Sequence, residues 1–153
     1  LLKNSKDEYK LEIIGNGSME NSLLKLAKLN SVNLKINKNV DHGELIKIFN
    51  KYQFYISCSL HEGNPKTILE AMAAGCIVIA SKIESHKELI SNGLDGFLID
   101  LNETDLLELL NKINTDIEKE EISINARNKI KNNYSLEKIA SLFFNDFDKM
   151  MKV

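Results

Sequence analysis

The chain has 153 residues, 43% of them hydrophobic, and a formal charge of −2. That size and content describe one domain with a real core, and the charge balance gives no general attraction to nucleic acid or an acidic membrane surface. The longest mainly apolar run, Ala71 to Ala80, contains Gly75 and is too short to span a bilayer.

Leu1 to Glu8 is polar and reads as a connector or the tail of a helix. Tyr9 to Ile14 alternates as a strand does and runs into Gly15-Asn16-Gly17. A Gly-x-Gly after a strand invites a dinucleotide-binding reading. However, Glu20 stands where the third glycine is wanted, and no acid ends the next strand, Asn33 to Asn37. A nicotinamide or flavin site is therefore not expected. Residues 19 to 30 between these strands read as a helix with Leu23, Leu26, Ala27 and Leu29 inward. After the loop Lys38-Asn39-Val40, Asp41 or His42 starts a helix with Leu45, Ile48 and Phe49 on one face.

The richest stretch follows. Phe54 to Cys58 has the length and the β-branched or aromatic character of a buried strand. Asn64 is placed to cap a helix, with Pro65 at its first position, where a missing N–H costs nothing. Gly75 ends that helix in the left-handed role, and Cys76 to Ala80 resumes as a strand. Such a strand–helix–strand connection demands a parallel sheet. Glu62 lies in the loop and Glu70 follows after seven intervening residues. Glu70 then sits roughly 9 Å along the helix axis from the cap. Between the two acids, the helix N-terminus offers amides and a positive dipole end to a phosphate. Ionised carboxylates only accept hydrogen bonds and suit hydroxyl groups. A ligand with phosphate in the middle and hydroxyl-rich ends fits, and a nucleoside diphosphate sugar is one.

Beyond this unit, Ser81 to Ser91 reads as a loop and short helix with Glu88 near its start, where an acid suits the helix dipole. Gly93 and Gly96 bracket a turn into the strand Phe97-Leu98-Ile99. Asn102-x-x-Asp105 resembles a cap for a helix carrying Leu106, Leu109, Leu110 and Ile113. A mostly charged helix covers about 118 to 131. Ser135 caps a last one with Leu136, Ile139, Phe143, Phe147 and Met150 at helical spacing. Cys58 and Cys76 read as two buried thiols without a disulfide. His42, His61 and His86 lie in separate loops without metal-ligand spacing and are expected at the surface; only His61, beside Glu62, adjoins the candidate site.

Glu62-Gly63-Asn64-Pro65 through Glu70-Ala71-Met72-Ala73-Ala74-Gly75 resembles the signature of family 4 retaining glycosyltransferases. Similar segments of that family match Ile13 to Gly17, Lys87 to Ile90 and Gly93 to Ile99. The resemblance implies an α/β, Rossmann-like parallel sheet flanked by helices, the C-terminal half of a GT-B fold. It makes residues 1–153 a single donor-binding domain in a hexosyltransferase of glycan or glycolipid biosynthesis. It implies that Glu62 contacts the donor sugar and supports developing positive charge at the anomeric carbon, and that Glu70 holds the ribose hydroxyls. Gly15, Asn16 and Gly17 would line the donor cleft, and Lys38, Asn39 and Val40 would meet the base. His61, Gly63, Asn64, Lys66, Thr67 and Ile68 would complete the donor site, and Glu88 would belong to the loop around it.

The same comparison exposes gaps. The family's first donor-domain strand, with an Arg and a Lys for the diphosphate, has no counterpart before Tyr9, and the N-terminal acceptor domain is absent. The isolated chain is thus expected to be inactive. Pro65 replaces a common second glycine and offers no amide there. No cofactor or metal is implied, and no nucleic acid partner. With no signal peptide at the start, the setting expected is cytoplasmic, at the inner face of the membrane if an absent domain binds there. The alternatives are a nucleotide-sugar epimerase of the same architecture and a non-catalytic nucleotide-binding or interaction module.

Overall fold

A computed structural model describes residues 9–115, 119–141 and 144. The elements alternate as β1 (Lys10–Ile14), α1 (Glu20–Leu29), β2 (Asn33–Asn37), α2 (His42–Phe49), β3 (Phe54–Ser57), α3 (Lys66–Ala74), β4 (Ile77–Ser81), α4 (Glu84–Leu89) and β5 (Phe97–Ile99). Helices α5 (Glu103–Thr115) and α6 (Lys119–Asn133) follow. Every strand pairing among them is parallel, as expected from strands joined through helices. The strands pair in two sheets, β1-β2 and β3-β4-β5. The chain likewise divides into two compact units, 1–47 with 102–117 and 48–101 with 118–153.

In the first unit, Lys10 to Ile14 lies in register beside Asn33 to Asn37, so the loops after β1 and β2 leave the same edge. The Gly15 N–H donates to Asn37 O at 2.9 Å, and Lys38 pairs with Glu20 at 2.6 Å. Helix α1 buries only Ala27. Leu26 and Leu29, expected inward, are exposed instead, because a two-stranded sheet offers a narrow platform to the helix crossing it. The cap expected at Asn102 is present, its Oδ1 accepting the Asp105 N–H at 2.8 Å. Leu110 and Ile113 of α5 are buried.

The second unit holds the larger core. All five residues of β4 are buried, as a central strand with a partner on each side requires. Ile68, Ala71 and Met72 of α3 and Ile122 and Ala126 of α6 are buried too. Gly75 closes α3 at φ +90°, with its own N–H on Met72 O and the Cys76 N–H on Ala71 O. Helix α6 reinforces this end: the Arg127 guanidinium donates to Ala74 O and Ser123 Oγ donates to Gly75 O. A cation there also suits the negative end of the α3 dipole. The turn before β5 is pinned by buried Asp95, which accepts the Ser91 N–H and pairs with Lys129 at 2.8 Å.

Two further expectations change. Cys76 is buried, donating toward Phe49 O and Tyr52 O, but Cys58 is exposed because β3 ends at Ser57 and leaves it in the loop. Ser135 caps the final helical stretch, 136–141, where Leu136 and Ile139 are exposed. Phe143, Phe147 and Met150 lie outside the described residues. No helix among the described residues is long and apolar enough to cross a membrane.

Candidate functional site

Because β3 and β4 run parallel and in register, the loops that follow them open on one edge of the sheet. In a parallel sheet the carboxyl ends of the strands are the usual place for a ligand. The loop 58–65 carries Glu62, and the segment after β4 leads through Ile83 into α4. Together they border an open hollow of about 450 Å³, lined by Leu60, His61, Glu62 and Gly63 on one side and Ile83, Glu84 and Ser85 on the other.

The Glu62 side chain is about three-quarters buried, and its Oε2 lies 3.1 Å from Nε2 of His86. His86 is wholly buried in α4, and its Nδ1 lies 2.9 Å from the carbonyl of Ser81, the last residue of β4. The Ser81 hydroxyl donates back to Ser59 O at 2.5 Å, tying the loop to the strand. The expectation of a surface histidine at position 86 is thus overturned. The signal was in the sequence: Ile83, Leu89 and Ile90 stand three before, three after and four after it, which marks the inner face of a helix. Ser85 adds a hydroxyl oxygen that is buried without a hydrogen-bond partner.

The start of α3 differs in detail from the sequence reading. Pro65 is the cap, since its ψ of 66° lies outside the helical range, and Asn64 makes no side-chain cap. The Lys66 N–H donates to Asn64 O, and those of Ile68 and Leu69 to Pro65 O. Of the two first-turn amides expected for a phosphate, Lys66 and Thr67, that of Lys66 is therefore engaged within the loop. Ile68, expected in the donor site, has no exposed surface and belongs to the core instead. Lys66, His61, Gly63 and Asn64 are exposed, and Glu70 and Thr67 are half-buried.

Tyr55 of β3 donates to Thr67 Oγ1 at 3.0 Å. Burial pushes its phenol pKa up, the Thr67 bond acts the other way, and the carboxylates of Glu62 and Glu70 both add to the rise. Both acids therefore act on one phenol, although only Glu62 borders the hollow. Glu88 is not at the start of α4 but its penultimate residue, exposed at the end where an acid is unfavourable. Glu84 is the first-turn acid and pairs with Lys87 at 2.7 Å.

The remaining expected contacts lie in the first unit. Gly15, Asn16 and Gly17 form the exposed loop after β1, with Gly15 at φ +144°, a conformation that favours glycine. Lys38, Asn39 and Val40 follow β2, Asn39 at φ +52°. The single arginine of the sequence, Arg127, is committed to the C-terminal end of α3.

Residues 1–133 match the family described as "Glycosyl transferases group 1". The chain is 33% identical over 129 residues to an Escherichia coli UDP-Gal:alpha-D-GlcNAc-diphosphoundecaprenol alpha-1,3-galactosyltransferase, covering 82% of this chain and 33% of that protein. It thus spans about a third of that relative's length. Among solved structures it superimposes on the GtfA/B complex with TM-score 0.81 at 19% identity, over 95% of this chain and 30% of that one. Anabaena HepE in complex with UDP-glucose matches with TM-score 0.78 at 19% identity, over 92% and 41%. These likenesses show the GT-B fold. With the family matched over most of its length, the chain belongs to the group 1 glycosyltransferases.

Proposed function

We propose that this chain is the donor-binding part of a retaining, family 4 type enzyme that transfers a sugar from a nucleoside diphosphate sugar to an acceptor held by a further, N-terminal domain. The observation that carries the reading is Glu62 at the rim of the hollow beyond β3 and β4, followed at the expected interval by Glu70 on α3. Glu62 meets the donor sugar and steadies positive charge at the anomeric carbon. Glu70 accepts from the ribose hydroxyls. The relative's UDP-galactose chemistry and the UDP-glucose bound to HepE support a nucleotide-sugar as the ligand class. The transfer runs without a resident metal or cofactor, in the cytoplasm, against a glycan or lipid-linked acceptor.

Isothermal titration of the wild type and Glu70→Ala with UDP, GDP and their sugars tests this. Weak nucleotide binding by the wild type and its loss, at least tenfold, in Glu70→Ala is the expected result. Equal binding by both proteins removes the ribose role.

A further inference from the structure

Resting on the sugar-site reading of Glu62, we propose that His86 is the positioning residue of that carboxylate: by holding Oε2 from beneath, it turns the other oxygen toward the hollow and so sets how the donor sugar is gripped. A carbonyl oxygen only accepts, so Nδ1 of His86, 2.9 Å from Ser81 O, must be the donor there. The Ser81 hydroxyl proton is engaged with Ser59 O and does not compete. The ring is then fixed in one orientation, with Nε2 aimed at Glu62 Oε2 across 3.1 Å. Two bare acceptors do not rest at that distance inside a protein, so one proton lies between them.

Two consequences follow. The ring is anchored to β4, a strand without exposed residues, so its direction is inherited from a strand packed on both faces. Glu62 is on a loop, and this bond makes it a directed acceptor rather than one free to rotate toward water. A histidine buried only for packing would need no partner on the rim of a hollow.

The test compares the sugar increment, meaning the affinity for UDP-glucose over UDP and for GDP-mannose over GDP. It is measured by titration on the full chain for the wild type, Glu62→Gln, His86→Phe and His86→Gln. The imidazole ¹⁵N signals of His86 in the wild type and Glu62→Gln are recorded alongside and need no ligand. The expected result is that His86→Phe loses the increment about as fully as Glu62→Gln, roughly tenfold, with affinity for the free nucleotides within about twofold of wild type. His86→Gln, which restores an N–H near the place of Nε2, recovers part of it, and the Nε2 signal shifts on Glu62→Gln. If His86→Phe keeps the increment while Glu62→Gln loses it, or the ring signals ignore Glu62→Gln, the positioning role is overturned and the sugar site stands. A wild type that binds free nucleotides as tightly as nucleotide-sugars overturns the sugar-site reading and the proposal together.

Discussion

The two units are built from the same device, parallel strands joined through helices, yet they hide very different amounts of themselves. In β4 every residue is buried, whereas β1 and β2 show only exposed and half-buried positions. The alternating Lys-Leu-Glu-Ile-Ile of β1 is suited to one covered face, and the Ile-Val-Ile-Ala of β4 to two. Neighbours complete the difference: β4 has a strand on each side and packs against α3 and α6, while each strand of a two-stranded sheet is an edge. The lesson is that the loop bearing Glu62 hangs from the more deeply packed framework. Precision at that loop is a property of the core under it.

The sharpest way to break this contrast is to cut equal amounts of side chain from each unit. Ile79→Ala removes a wholly buried side chain from β4 and is expected to cost about 2–5 kcal/mol in urea unfolding. Leu29→Ala, on a residue 76% exposed in α1, should stay within about 0.5 kcal/mol. Comparable losses at the two positions would show that the units are packed alike.

Gly75→Ala probes the joint that α6 makes with α3. The residue sits at φ +90°, and a methyl group there would collide with the Arg127 guanidinium. A loss of about 1–3 kcal/mol is expected from the backbone conformation alone, with more from displacing Arg127. Pairing it with Arg127→Ala checks the cause, because the double variant should recover whatever the collision contributes.

The smallest effect concerns the thiols. Burial pushes Cys76 up to about 11, and Arg127 acts weakly the other way, while Cys58 is exposed. At pH 8 the Cys76 thiolate is then roughly one part in a thousand of the total. A disulfide reagent should therefore modify one thiol per native chain quickly and the second only after unfolding; two equally fast thiols would contradict the placement of Cys76. The sign for stability follows: a pKa raised on folding favours the native state fully below about 9. That contribution disappears as pH climbs toward about 11. Tyr55, raised likewise, adds to the same alkaline loss.

Much of this is legible in the amino-acid sequence, for reasons that differ from element to element. The boundaries of β2 and β5 and the cap at Asn102 follow from local chemistry, and local chemistry is written in consecutive residues. Gly75 announced its helix end because few residues other than glycine take a left-handed backbone there. The departures at Leu26, Leu29 and Asn64 share one source, the path of the chain in three dimensions. Leu26 and Leu29 had the right spacing but no surface to cover them. Asn64 had the right side chain, while the chain's actual path put the cap at Pro65.

By itself, then, the amino-acid order determined the class of fold, the strand–helix–strand unit and the family to which it belongs, since these rest on periodicity, caps and a contiguous motif. Tertiary structure alone decided that Arg127 serves the end of α3 and that Glu62 meets a histidine 24 positions away. Such pairings depend on which strand ends are brought side by side, and no local rule states that.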